Sequence, residues 1–259
     1  MKTSGTRLSL RGVSKTYDLS VDLRKGFGES LVRSSPQSGL PNRGTVEAVR
    51  DVSFDVLEGE VVGIMGQNGS GKSTLLKMIA GITQPTSGSI DTTGRVGSIL
   101  EVGTGFHPDL SGRENIRFHG ELMGVSADHI EANRDEVITF SELGDFIDVP
   151  VKYYSSGMFM RLAFSSLIML DADILLLDEV FAVGDQDFRK KSQRTIQDLC
   201  SAGRTVLMVG HDLDQMTRIA NRYMVMKEGR LVMDTTDLTA VSVFYYGDGE
   251  EAAHEPDAE

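Results

Sequence analysis

The sequence predicts an α/β fold that opens on a pair of antiparallel strands and carries a helical block inserted ahead of its last strands. Three observations predict it. A short apolar run, Val61 to Met65, leads into a glycine-rich turn and then the helix-like STLLKMIAG, the strand–loop–helix step from which α/β domains are built. From Ser111 to Leu170 strand signals fade and three stretches carry helical spacing instead. Apolar strand runs then return at Ile174 to Asp178 and Thr205 to Gly210.

At 259 residues, and at roughly 150 residues per domain, the chain is one large domain or two compact subdomains. Hydrophobic residues make up 40% and charged residues 25%, the balance of a globular protein with a real core. A single cysteine, Cys200, excludes an intramolecular disulfide. The start, MKTSGTRLSLRGVSK, has no apolar signal-peptide core, and the longest apolar stretch, Leu162 to Leu177, is interrupted by Asp171 and Asp173. No spanning segment is expected, and the compartment is expected to be cytoplasmic. The 26 basic and 38 acidic residues leave a net charge of −12, which argues against gripping nucleic acid through a broad basic surface.

In chain order, Arg7 to Tyr17 and Val46 to Val56 alternate apolar and polar residues, most cleanly in SFDV, and read as antiparallel strands. Between them, about 19–45, lies an insertion rich in Gly, Ser, Pro and Arg; SSPQSGLPNRG within it suits no regular element. Its net charge is +2, from Arg24, Lys25, Arg33 and Arg43 against Asp22 and Glu29. Contact with a membrane partner or a lipid headgroup, or a floppy loop, are both open for it. The helical block, about 105–170, holds SGRENIRFHGELMG, SADHIEANRDEVITFSEL and SSGMFMRLAFSSLIML. After Asp185 come a helix, the strand TVLMVG, another helix, and two short strands around Tyr223 and Leu231. The last residues, 247–259, hold six acids and no Lys or Arg, and read as an acidic disordered tail.

The glycine turn is Gly66-Gln67-Asn68-Gly69-Ser70-Gly71-Lys72-Ser73, followed by Thr74. It fits G-x-x-x-x-G-K-[ST] with a strand before it and a helix after it. Glycines let the loop wrap closely enough for successive N–H groups to point at phosphate oxygens, and the helix N-terminus adds partial positive charge. Lys72 is placed to reach the β and γ phosphates of ATP, and the Ser73 hydroxyl to bind Mg²⁺. The second apolar strand ends in Asp178 and Glu179, at the sheet edge where ligands of such folds sit. By itself an Asp-Glu strand end is often a solvated edge. Beside the glycine loop, Asp178 reads as a Mg²⁺ ligand through water and Glu179 as the group that orients or deprotonates the attacking water.

YSSGM (Tyr154 to Met158) places Ser155 23 residues before Asp178, and His211 lies 33 residues after it. With the glycine loop, this combination resembles the ATP-binding cassette (ABC) family, and within it the ATPase subunits that export O-antigen, teichoic acid and related polysaccharides. The stretch GTGFHPDLSGREN (Gly103 to Asn115) resembles one typical of the same group. The likeness runs from about Arg7 to Tyr246, so residues 1–246 are expected to form one cassette domain: a P-loop NTPase core of ABC type with an antiparallel β subdomain and an inserted helical subdomain.

The resemblance assigns further roles. Ser155, Ser156 and Gly157 would form the signature, offering a hydroxyl and backbone N–H groups at a helix N-terminus to a γ phosphate from another subunit. Ser156 stands where a second glycine is usual and Met158 where a glutamine is usual. His211 would be the switch histidine at the γ phosphate, and AVGD would place Asp185 in the loop that communicates across a dimer. Tyr17 occupies the position of the adenine-stacking aromatic. Glu101 is the main departure, because most ABC ATPases carry glutamine at this Mg²⁺-sensing loop; a carboxylate is the stronger ligand for a hard cation.

These residues imply an ATPase subunit on the cytoplasmic face of the cell membrane, with ATP and Mg²⁺ as cofactors. Two copies would sandwich two shared ATP sites and power export of a lipid-linked polysaccharide through separate transmembrane permease subunits, without nucleic acid. The alternatives are an ABC ATPase for another transported substrate and a non-transport ABC protein. Many relatives append a carbohydrate-binding β-sandwich, whereas this sequence ends at Glu259, so substrate choice is expected to lie elsewhere.

Overall fold

The computed structural model describes residues 5–18, 44–99, 105–169, 172–178, 185–210 and 216–246. Residues 19–43, Glu101, Glu179, Ala182 to Gly184, His211 and the acidic segment 247–259, all singled out in the sequence, lie outside the described residues.

A three-stranded antiparallel sheet is built from β1 (Thr6–Asp18), β2 (Thr45–Leu57) and β4 (Ser87–Thr92), in the order β2-β1-β4. Asp18 pairs with Thr45, so the chain leaves and re-enters the sheet at neighbouring residues on either side of the insertion. A six-stranded sheet carries the order β5-β6-β7-β3-β8-β9. It comprises β3 (Val61–Met65), β5 (Val96–Ile99), β6 (Ile174–Asp178), β7 (Thr205–Val209), β8 (Arg222–Lys227) and β9 (Arg230–Thr235). All neighbours in it are parallel except the edge pair β8–β9.

The central strands are apolar runs rather than alternations because both of their faces are buried. Ile174 and Leu176 point into one core with Val62, Ile64 and Leu76 of α1 (Lys72–Ile79) and the inward residues of β1 and β2. Leu175 and Leu177 point the other way, toward Phe164, Phe188, Ile196 and Val241. These four belong to α4 (Ser156–Ser165), α5 (Gln186–Ser201) and α6 (Leu238–Tyr246), whose ranges follow two earlier helices, α2 (Gly112–Leu122) and α3 (Ala127–Ser141).

Residues 105–169 pack around a third core of Ile116, Ile130, Val137, Ile147, Leu162 and Met169. The SGRE sequence opens α2 as a capping box: Ser111 Oγ accepts from Glu114 N–H and the Glu114 side chain accepts from Ser111 N–H. Asn115, fully buried, donates to the carbonyls of His107, Leu110 and Ser111 and accepts from the His107 N–H, which fixes the loop ahead of the helix. Among the described residues, no helix is long and apolar enough to cross a membrane.

Candidate active site

In the parallel sheet, β6 lies one strand away from β3, with β7 between them. At about 4.8 Å per strand, the end of β6 therefore sits about 10 Å across from the glycine loop that follows β3. Asp178, the last residue of β6, and the loop residues open into one cleft of about 750 Å³. Asn68, Gly69, Gly71, Lys72, Ser73 and Thr74 line it on one side and Val46, Glu47, Ala48 and Arg50 of β2 on another, with Glu228 and Gly229 between.

Glycine is a steric requirement in this loop. Gly71 has φ +102°, and a Cβ there would overlap the Ala48 carbonyl oxygen; Gly66 has φ +151°, and a Cβ would overlap the Met226 carbonyl oxygen. Gly71 also N-caps α1 in the left-handed conformation, with no side-chain cap, so the first-turn N–H groups of α1 meet no capping side chain from that residue. The Lys72 side chain is held over the loop, its Nζ donating to Gly66 O at 2.7 Å and Gln67 O at 3.0 Å. Ser70 is 5% exposed, and its Oγ is buried without a hydrogen-bond partner. An uncapped helix start and a lysine beside a glycine cradle fit a phosphate chain.

Ser73 and Asp178 share the cleft, a hydroxyl and a carboxylate, both hard oxygen donors. Among the described residues, no three or more His, Cys, Asp or Glu side chains gather into a metal cluster. The two oxygens of Ser73 and Asp178 fit Mg²⁺, which rests on one or two protein oxygens and completes its shell with water and phosphate oxygens.

Other singled-out residues stand apart from the cleft. Gly66, Gln67 and Ser70 line a smaller cavity of about 340 Å³ on the loop's other side, together with Asn68 and Gly69. Tyr17 does not line the main cleft; it pairs across the sheet with Val46, which does. Lys15 Nζ stands 5.1 Å from the centre of the Tyr17 ring, a cation on its π face.

Ser155 N-caps α4, accepting from Met158 N–H at 3.2 Å, and Ser155 and Ser156 are exposed. The Ser155 hydroxyl keeps its own proton as a donor. No Cβ clash bars alanine at Gly157, where only Ser155 Oγ comes within 4 Å. Asp185 N-caps α5, accepting from Phe188 N–H at 3.0 Å, and its carboxylate pairs with Arg161 of α4. The Phe188 N–H, and after it the Arg161 guanidinium, hold Asp185 below the usual carboxylate range.

Residues 49–182 match the ABC transporter family. The chain is 40% identical over 224 residues to the O-antigen export system ATP-binding protein RfbB of Klebsiella pneumoniae, covering 86% of this chain and 91% of that protein. It is 50% identical over 173 residues to the protein of the same name from Myxococcus xanthus, 67% of this chain but 40% of that longer protein. It is 45% identical over 187 residues to the teichoic acids export ATP-binding protein TagH of Enterococcus faecalis, 72% of this chain and 42% of that protein. A solved dimer of the ATP-binding cassette MJ0796 bound to ADP and Pi superposes with a TM-score of 0.68 at 23% identity, covering 88% of this chain and 97% of that one. This last likeness bears on the fold. The chain therefore belongs to the ABC transporter family, with the α/β cassette fold its sequence predicts.

The glycine-loop motif missed a whole wall of the cleft: Glu47, Ala48, Arg50, Glu228 and Gly229. The only signal that could have found it was the strand pairing, since Tyr17 was singled out and its neighbour across the sheet is Val46.

Proposed function

We propose that the chain is the ATP-hydrolysing nucleotide-binding subunit that powers export of a lipid-linked polysaccharide, of the O-antigen or teichoic acid class, through separate transmembrane subunits. The observation that carries it is the cleft in which the glycine loop, Lys72, Ser73 and Asp178 converge, in a chain 40% identical along nearly the whole of an O-antigen export ATP-binding protein.

In this reading Lys72 and the N–H groups of residues 69–74 bind and neutralise the β and γ phosphates. Ser73 and Asp178 would hold Mg²⁺, with Glu101 as a further candidate ligand, and the bound ion would supply positive charge to the phosphate oxygens while the bond to the leaving ADP breaks. Glu179 orients water and takes its proton as the water oxygen bonds to the γ phosphorus, and His211 donates to a γ-phosphate oxygen. Tyr17 stacks on adenine.

The exposed Ser155, outside the cleft of its own chain, suits a ligand for the phosphate held by a second copy, with Ser156, Gly157 and Asp185 beside it. The chain then works as a homodimer at the cytoplasmic face of the membrane, residues 1–246 forming the cassette.

The test is purification together with a co-expressed transmembrane subunit. ATP hydrolysis that disappears in Lys72→Ala, and surface polysaccharide lost from cells carrying that variant, are the expected results. Normal surface polysaccharide in such cells overturns the export assignment.

A further inference from the structure

The phosphate side of the cleft accounts for about half of its lining, and the remainder is the face of β2 from Val46 to Arg50 together with Glu228 and Gly229. That strand is tied to the glycine loop by backbone hydrogen bonds that run through Gly229. Arg50 N–H donates to Gly229 O at 2.7 Å, and Gly229 N–H donates to Ser70 O at 3.0 Å. The Ala48 carbonyl lies against Gly71 closely enough to forbid a side chain there. The position of Arg50 beside the phosphate loop thus does not depend on its own side chain.

That side chain has an unmet requirement. The Nε of Arg50 is buried and makes no hydrogen bond, although Glu47 Oε2 stands 3.4 Å away and 39% of the arginine side chain is exposed. Guanidinium offers five donors and no acceptor. A carboxylate at that separation supplies charge without satisfying the N–H, and a buried donor left unpaired destabilises until an acceptor arrives. The exposed part of the same side chain lines the cleft, and an acceptor that enters there meets the guanidinium beyond Nε.

Geometry narrows which part of a nucleotide this is. Val46, the pair partner of Tyr17, marks the far end of the wall, and Arg50 lies four residues along the strand toward the glycine loop, about 13 Å at the rise of extended chain. The groups between a base near Val46 and the β and γ phosphates at Lys72 are the ribose and the α phosphate, all of whose exposed acceptors are oxygens.

We propose that Arg50 is a further nucleotide-binding residue, its guanidinium donating to an oxygen of the ribose or α phosphate while Glu47 orients it from the strand. The proposal rests on the nucleotide reading of the cleft and adds to it a contact outside the glycine-loop motif.

The experiment measures binding of ATP and of inorganic triphosphate to the full chain by calorimetry, in wild type, Arg50→Ala, Arg50→Lys and Lys72→Ala. Arg50→Ala weakens ATP binding by about tenfold, the scale of one charge-assisted hydrogen bond, and Arg50→Lys recovers part of the loss. In turnover, the larger share of the defect falls in KM rather than kcat, and the nucleotide-free melting temperature stays close to wild type because the backbone bond to Gly229 remains. Weaker triphosphate binding as well assigns the contact to phosphate oxygen, and unchanged triphosphate binding assigns it to the ribose. Wild-type ATP affinity in Arg50→Ala, with affinity lost in Lys72→Ala, overturns the proposal and leaves the nucleotide site standing. No ATP binding by wild type overturns both.

Discussion

Arg161 on α4 and Asp185 at the head of α5 form an ion pair, joining the helix that Ser155 caps to the helix that Asp185 itself caps. The guanidinium also reaches Glu142 at 3.2 Å and lies 5.1 Å from the centre of the Phe188 ring, while Lys191 of α5 donates to Glu142 at 2.6 Å. Two cations and two carboxylates thus tie the end of α3, α4 and α5 together above the stacked and edge-on rings of Phe140, Phe164 and Phe188.

The first prediction follows from that pair. Arg161→Ala leaves Ser155 and the cleft in place but removes the ion pair between the two helices, so ATP turnover falls by roughly two- to thirtyfold, the range of coupling energies between packed elements. Nucleotide affinity of the isolated chain stays near wild type. Arg161→Lys, which keeps the charge, recovers part of the turnover; turnover unchanged in Arg161→Ala shows that the pair only decorates the surface.

The second prediction concerns Glu179, directly after Asp178 in the sequence. Glu179→Gln removes the carboxylate proposed to take the proton of water while keeping Lys72 and Ser73, so hydrolysis is abolished and ATP binding retained. A nucleotide-bound dimer accumulates, which size-exclusion chromatography with ATP detects. Wild-type turnover in this variant removes Glu179 from the reaction.

Acid should loosen the helical block. His119 of α2 is 5% exposed, its Nδ1 has no hydrogen-bond partner, and its ring meets Phe106 edge-on at 5.2 Å, with Phe159 of α4 on the other side of Phe106. Burial lowers its pKa below the ordinary histidine value of 6.5. The unfolded chain therefore takes up a proton, as pH falls through about 6.5, that the folded chain refuses, and stability drops through that window until the lowered native pKa is passed. Melting temperature measured from pH 7.5 to 5 should decline less steeply in His119→Leu than in wild type; identical slopes mean that His119 does not contribute.

How far the sequence carries is clear from particular elements. β3 and the glycine loop were legible because every constraint on them is local: a buried run, glycines at the crowded turns and a helix immediately after. β4 was not foreseen, because SGSIDT is an edge segment with mostly exposed residues and no apolar alternation. α6 was not foreseen either. Its TAVSVFYY stretch is β-branched and aromatic, yet Asp237 Oδ1 accepts from Thr239 N–H at 2.8 Å and starts a helix that buries Val241 against the sheet. The cleft divides in the same way. Lys72 and Ser73 announce themselves by spacing, whereas Arg50 acquires meaning only through partners set by pairing and packing.

The last prediction tests whether the active site is divided between two copies. The cleft holds Lys72, and Ser155 stands exposed outside it, so a partner's Ser155 helix is needed to complete each site if the dimer reading is right. Lys72→Ala cripples one half of a site and Ser155→Arg the other, and each variant alone forms dimers with two damaged sites. Mixed, the two variants form a heterodimer in which both defects fall in one site and the second is intact. Random pairing makes about half of the dimers mixed, each with one good site, so under two-fold symmetry roughly one quarter of wild-type sites return. Strict cooperativity between sites could silence turnover even then, so ATP-dependent heterodimer formation is measured alongside activity, with the two variants carrying different tags. Recovered activity or an ATP-dependent heterodimer supports a shared site. Absence of both sinks it, and with it the role of Ser155 as a ligand acting on the other subunit's phosphate.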